Sequence, residues 1–158
     1  MIFVRVMFIS STGGHLTELR KLSSLFDKYD FSIVTEASGN NKKLKDIYPG
    51  RVSYLIHGSK EYLFTYIFKF IFNSFKSLFL YFKYHPDYIV TTGAHTAVVM
   101  AYIGKIFGSR IVYIETFANI NTKTVTGKLL YPISDLFVVQ WEEMLKLYPK
   151  AKYFGGVF

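Results

Sequence analysis

The sequence predicts an α/β protein, a single Rossmann-like domain over residues 1–158 built on a doubly wound, mostly parallel sheet. Three observations predict it. Short apolar runs alternate along the chain with segments of helical spacing. Nearly all of these runs are apolar throughout, as strands covered on both faces are. The polar, glycine-bearing turns follow the ends of the runs, where ligands bind in sheets of this kind. A length of 158 residues suits one domain with a sizeable core.

Residues 2–9 (IFVRVMFI) read as the first, central strand. Arg5 interrupts the run and a Gly-Gly-His turn follows in place of a small-residue cleavage site, so it is not a signal peptide. Leu16, Leu19, Leu22, Ser23 and Phe26 recur at helical spacing, with Glu18, Arg20 and Lys21 on the other side. Phe31 to Glu36 is the second strand. A polar loop from Ala37 leads to a short helix near Lys42–Tyr48, which Pro49-Gly50 ends, and Val52 to His57 is the third strand.

Residues 60–84 (KEYLFTYIFKFIFNSFKSLFLYFKY) read as one Phe-rich helix, closed by Pro86. Thr65, Lys69, Asn73, Lys76 or Ser77, and Lys83 fall at steps of three or four and define a narrow polar stripe. Its length is near the roughly 20 residues of a bilayer span. Burial in the core, a membrane span and an in-plane position compete. A span would put Lys69, Asn73 and Lys76 mid-bilayer at real cost. An in-plane helix lets the lysines reach anionic headgroups while Phe68, Phe72 and Phe75 enter the acyl boundary, and this placement is the expected one.

Asp87 to Thr92 is the fourth strand, running into Gly93-Ala94-His95-Thr96 and a helix over Ala97–Phe107. Arg110 to Glu115 is the fifth strand, Thr122 to Leu130 a helix, and Leu136 to Gln140 the sixth strand. Trp141 to Tyr148 is a short helix, and Tyr153 to Phe158 a seventh strand or a tail.

Two turns repeat one pattern, strand then glycine, histidine and helix: Ser10 to Glu18, and Thr92 to Thr96. Glycines let the backbone approach a ligand closely, and a helix N-terminus offers free N–H groups to an anion. The first turn lacks the third glycine of the dinucleotide fingerprint and the Gly-Lys-Ser/Thr of a P-loop. His15, among glycines at a helix start, is read as an anion contact or proton-transfer group rather than a bystander of the helix cap. Glu115 ends a strand at the same edge, where a plain surface carboxylate is the competing assignment. Glu18 and Glu36 are not assigned to catalysis. No metal-ligand spacing and no G-x-S-x-G signature is present, so no metal is expected.

The net charge of +8 comes from scattered Lys and Arg, densest at Lys42, Lys43 and Lys45, with no basic helix. A nucleic-acid partner is not expected. A basic chain with a very apolar segment suits an anionic membrane surface. With no cysteine there are no disulfides.

The (S/T)GGHxxEL turn after the first strand, the Thr92-Gly93-Ala94-His95 turn and the Tyr113-Ile114-Glu115 strand end together resemble one family, over nearly the whole chain. It is the acceptor-side, membrane-docking subunit of bipartite GT-B glycosyltransferases. Its bacterial form is the PssD-type subunit of capsule and exopolysaccharide synthesis. Its eukaryotic form is the anchor of the dolichol-linked UDP-N-acetylglucosamine transferase, and both are similar to the N-terminal half of MurG. The resemblance implies half of a GT-B fold, with a separate donor-binding subunit supplying the UDP-sugar half-site. It implies transfer of a sugar to a polyprenyl-diphosphate-linked saccharide at the cytoplasmic face of the plasma membrane, with no cofactor beyond the UDP-sugar substrate. On that basis the acceptor diphosphate contacts Thr12, Gly13, Gly14, Gly93, Ala94, His95 and Thr96. His15 is the first candidate base and Glu115 the second, or an orienter of the acceptor sugar. The eukaryotic subunits carry a transmembrane helix before the first strand, so here the membrane role is expected to fall on residues 60–84. The Gly155–Phe158 tail is expected to dock on the partner. A non-catalytic membrane adaptor of the same fold is the alternative.

Overall fold

The computed structural model describes residues 4–39, 41–58 and 63–158; Ile2, Phe3 and residues 60–62 of the predicted first strand and long helix lie outside them. Among the described residues seven strands form one sheet: β1 (Arg5–Ser10), β2 (Asp30–Glu36), β3 (Val52–Leu55), β4 (Tyr88–Gly93), β5 (Arg110–Ile114), β6 (Leu136–Val139) and β7 (Lys152–Tyr153). Their order is β3-β2-β1-β4-β5-β6-β7. Every neighbouring pair is parallel, so the sheet is wholly parallel. The helices are α1 (Gly14–Lys21), α2 (Leu44–Ile47), α3 (Leu63–Tyr84), α4 (His95–Ile106) and α5 (Val125–Leu130), with 3-10 turns at Ser23–Lys28 and Glu142–Lys146.

Because side chains alternate along a strand, each apolar run feeds two cores. Met7 and Ile9 of β1 join Leu80 and Tyr81 of α3, Ala97 and Met100 of α4 and Leu130 of α5. Val6 and Phe8 join Leu16 and Leu19 of α1, Phe26 and Leu44 on the opposite face. Chain order reverses between β1 and β4, where the pairing register also slips, so that Ser10 lies opposite Gly93.

Some boundaries differ from those predicted. The helix expected over Leu16–Phe26 stops at Lys21. Two serines in succession, Ser23 and Ser24, favour helix continuation weakly, and the tighter turn brings Phe26 onto Phe8 and Phe31, each with ring centroids 4.7 Å away. The helix expected over Trp141–Tyr148 is the second 3-10 turn. The seventh strand is only two residues long. Beyond it, the tail expected to dock on a partner packs Val157 and Phe158 against this chain's own core, and Val157 N–H donates to Gln140 Oε1 at 2.9 Å.

Helix α3 is built inside out. Asn73, Ser77, Leu80 and Tyr81 face the sheet and are buried, while Phe68 is 73% exposed, Phe75 71%, Phe79 66% and Phe72 51%. The polar stripe expected along the helix therefore does not face solvent as a unit. Asn73 and Ser77 point inward, Lys69 and Lys76 are half-buried and Lys83 is exposed; the Thr65 side chain is outside the described set. The physical reason lies at the sheet edge. β3 is the edge strand, and the backbone of Ile56 continues past its ladder with no strand to pair with. Asn73 satisfies both groups: Oδ1 accepts from Ile56 N–H at 2.9 Å and Nδ2 donates to the Ile56 carbonyl at 2.8 Å. With that register fixed, one face of the helix joins the core through Leu80 and Tyr81 and the phenylalanines face outward, so the helix is only partly buried in this chain. No helix among the described residues is long and apolar enough to cross a membrane.

Asn73→Ala leaves two backbone groups of Ile56 unpaired, and a loss of roughly 1–3 kcal/mol is expected in urea unfolding. The triple change of Phe68, Phe72 and Phe75 to Ser, on the outward face, leaves the unfolding midpoint in detergent-free buffer nearly unchanged.

Candidate active site

The two glycine–histidine turns meet at the C-terminal ends of β1 and β4, the point of strand-order reversal where open α/β sheets bind ligands. They are stitched together directly. Ser11 N–H donates to the Gly93 carbonyl at 2.9 Å, and the Thr92 hydroxyl donates to the His15 carbonyl at 2.7 Å. Thr12 Oγ1 donates to Ser38 Oγ at 2.9 Å, tying the first turn to the residues after β2. Gly13 has φ +80° and Gly93 φ +102°, conformations that L side chains resist. Gly93 is constrained twice, because a Cβ there would stand 3.3 Å from the His15 ring.

Neither helix that starts at these turns carries a side-chain N-cap or an acidic residue in its first turn. The first-turn N–H groups of α1 and the positive ends of the α1 and α4 dipoles therefore meet at one spot that no side chain caps among the described residues. Gly13 and Gly14 are exposed, so the spot is open to an incoming anion. Thr12 and Ala94 are partly exposed beside it, and Thr96 is buried with its hydroxyl unpaired among the described residues.

His15 is paired, and its partner is a residue that the sequence alone does not mark for catalysis. Glu18 Oε2 lies 3.7 Å from His15 Nδ1, an ion-pair distance too long for a hydrogen bond. Oε1 of Glu18 accepts from Thr116 Oγ1 at 2.8 Å and from Phe117 N–H at 3.0 Å, so the pair is fixed to the segment after β5. The Glu18 carboxylate holds the His15 pKa above the ordinary imidazole value; burial works against this, and the more distant Glu115 adds to it. Burial pushes the Glu18 pKa up, but His15, Thr116 and Phe117 outweigh it and leave the carboxyl below its usual range. The i,i+3 spacing of His15 and Glu18 on a helix start is the signal in the sequence that points to the pair.

Glu115, expected as a second base at an open edge, is instead 0% exposed. Its Oε1 accepts from Tyr113 Oη at 2.9 Å and Thr116 N–H at 3.0 Å, and its Oε2 from Thr124 Oγ1 at 2.9 Å and, more weakly, Tyr148 Oη at 3.4 Å. Burial and the Glu115 carboxylate push both phenols well above the usual tyrosine range, so they remain donors. Gly127 is needed beside this cage, since a Cβ there would meet Tyr148, Glu115 and Thr124. Thus Glu115 locks the β5–α5 connection and acts on His15 through its charge rather than by contact. Nothing in the spacing of Thr124 and Tyr148 foretells the cage. Among the described residues no cluster could hold a metal ion.

Glu18→Gln removes the main cause of the raised His15 pKa. A lower His15 pKa than in the wild type is expected when the imidazole Cε1–H resonance is followed by NMR through pH 5–9; an unchanged value would contradict the pairing.

Residues 6–157 match the family described as "Oligosaccharide biosynthesis protein Alg14 like". Relatives named UDP-N-acetylglucosamine transferase subunit ALG14 include the mouse protein, 28% identical over 98% of this chain and 83% of its own length. The Candida albicans protein is 38% identical over 58% of this chain and 42% of its own length, and the Kluyveromyces lactis match covers 33% of that protein. In fold the chain is similar to Acinetobacter baumannii MurG, with a TM-score of 0.75 at 14% identity over 97% of this chain and 45% of MurG. It is comparably similar to a UDP-N-acetylglucosamine 2-epimerase from Rickettsia bellii, with a TM-score of 0.72 at 17% identity over 99% of this chain and 46% of the epimerase. The chain spans less than half of either structure. The wholly parallel sheet, the glycine–histidine turns at its reversal point and the match over residues 6–157 together make the chain a member of the Alg14-like family of oligosaccharide biosynthesis proteins.

Proposed function

We propose that this chain is the acceptor-side half of a bipartite glycosyltransferase that moves a sugar from a UDP-sugar onto a polyprenyl-diphosphate-linked saccharide. The observation that carries this is the convergence of two uncapped helix N-termini on the exposed glycines of one crevice. It is a seat for an anion, and a diphosphate carries the charge to fill it. The acceptor diphosphate lies against Thr12, Gly13, Gly14 and Gly93 to Thr96. The partner subunit holds the UDP-sugar, for which UDP-N-acetylglucosamine, named in the relatives, is the first donor to test. The acceptor hydroxyl oxygen attacks the anomeric carbon, the bond from that carbon to the UDP oxygen breaks, and UDP leaves with the bonding electrons. His15 in its neutral form takes the hydroxyl proton, with Glu18 stabilising the resulting imidazolium. No metal step is invoked.

The outward phenylalanines of α3 seat the chain on the membrane. Phe68, Phe72 and Phe75 enter the acyl boundary of the cytoplasmic face as a peripheral contact, and Lys69 and Lys76 reach anionic headgroups. Capsule or exopolysaccharide synthesis is the setting we propose. The closed cage around Glu115 supports one alternative, a non-catalytic adaptor that recruits and stimulates a fully catalytic partner, since of the two expected bases it leaves only His15 at the crevice.

Transfer to a polyprenyl-diphosphate sugar in vesicles, by this chain with its donor-binding partner, tests the proposal. His15→Ala is expected to lower kcat roughly 10²- to 10⁴-fold with vesicle binding retained. The Phe68, Phe72 and Phe75 triple Ser variant loses vesicle binding but still uses a detergent-dispersed acceptor. Full transfer by the partner alone, or undiminished transfer by His15→Ala, would instead make the chain an adaptor.

A further inference from the structure

Beside the crevice stands a cluster of which the proposed chemistry uses only His95 and Thr96. Glu36 ends β2 and is 1% exposed. Its carboxylate lies between two histidines brought in by other elements. His57, just past β3, meets Glu36 Oε2 through Nδ1 at 2.6 Å. His95, the first residue of α4, places Nε2 3.6 Å from Oε1. Oε1 has no hydrogen-bond partner among the described residues, and the buried hydroxyl of Thr96, next to His95 in sequence, has none either. Asn41 Nδ2 anchors the Glu36 carbonyl at 2.6 Å, so the backbone under the carboxylate is pinned.

A carboxylate this deeply buried is costly unless paired, and here the pairing is incomplete. A purely structural pair would be closed on all sides. This one is open outward: the His57 side chain is 52% exposed and that of His95 34%. His57, hydrogen-bonded inward to the carboxylate, has its orientation and tautomer fixed and when protonated turns a second N–H outward, while His95 stands at ion-pair distance from the same carboxylate. The groups around the mouth are suited to an anion. Tyr66 packs on the His95 ring with centroids 5.8 Å apart, and Lys69 lines the same narrow pocket with His95 and Thr96. Both Tyr66 and Lys69 belong to the turns of α3 that carry exposed Phe68 and Phe72, so the pocket links the apolar outward face to the crevice.

We infer that Glu36 is the positioning residue of a lipid-headgroup seat, in which it holds His57 and His95 to grip the diphosphate of a membrane-borne polyprenyl diphosphate. The inference rests on the acceptor-side assignment above and adds Glu36, His57 and Lys69 to it. Two imidazoles flanking one carboxylate, His57 hydrogen-bonded to it and His95 at ion-pair distance, offer two points of contact, which suits two linked phosphoryl groups better than a single one. Their position at the first turns of α3 places the seat where a ligand anchored in the membrane reaches the protein.

The test measures binding of the full chain to phosphatidylcholine vesicles containing undecaprenyl diphosphate, against vesicles given the same charge by phosphatidylglycerol, with soluble UDP as competitor. Wild-type protein is expected to prefer the diphosphate vesicles about tenfold, as one or two charge-assisted hydrogen bonds provide. Glu36→Gln and His57→Gln bring that preference close to parity while phosphatidylglycerol binding stays as it was. His57 is largely exposed, so its substitution leaves the fold intact even if Glu36→Gln does not. In transfer with the partner, Glu36→Gln raises the acceptor KM more than it lowers kcat. Retention of the preference in both variants would overturn the seat. So would a loss confined to UDP binding, which would make it a nucleotide contact. Wild-type protein with no preference at all would remove the acceptor-side assignment itself, and the seat with it.

Discussion

The interaction on which the rest of this structure depends is the stitching of two turns across the β1–β4 boundary. Ser11 N–H bonds the Gly93 carbonyl, and the Thr92 hydroxyl bonds the His15 carbonyl. The register slip at Ser10 and Gly93 makes room for both. These contacts fix the starts of α1 and α4 side by side, and neither start is capped by a side chain. The missing side-chain caps forgo a few tenths of a kcal/mol at Gly13 and about 1 kcal/mol at Ala94. It is a local weakness at the place where an anionic ligand would add the missing interactions.

A second local conflict runs along α3. A helix with Asn73 and Ser77 facing the sheet and phenylalanines facing outward inverts the usual arrangement of a surface helix. The inversion follows from a backbone requirement, since the unpaired groups of Ile56 at the sheet edge take both hydrogen bonds of Asn73. The outcome is a set of exposed phenylalanines, Phe68, Phe72, Phe75 and Phe79, on the outward face of α3. The same helix supplies Tyr66 and Lys69 next to His95, so one element presents an apolar surface and borders the crevice.

Much of this is legible in the sequence. The apolar runs at Val6–Ile9, Ile89–Val90 and Ile111–Ile114 announce the parallel sheet, because strands buried on both faces have no polar side to alternate. The repeated glycine–histidine turns locate the crevice, because in such a sheet both follow strands that end at one edge. What is not legible depends on contacts between distant residues. Glu115 looks the same in sequence whether it lines a cleft or sits in a cage, and only the approach of Thr124 and Tyr148 decides it. The facing of α3 is not legible either, because helical periodicity shows that a polar stripe exists without showing which way it points. Glu36 carries no signal of its own, since it acquires meaning only from histidines that the fold brings near it, whereas Glu18 is marked by standing three residues after His15.

The central claim is that an anion from a polyprenyl diphosphate sits on the two uncapped helix starts. The most direct test is titration of ¹⁵N-labelled protein with a short-chain, water-soluble polyprenyl diphosphate, followed by amide chemical shifts. The largest shifts are expected on Gly13, Gly14 and His15 and on Gly93 to Thr96, saturating together. Saturable shifts confined to other surfaces, with these amides unmoved, would contradict it.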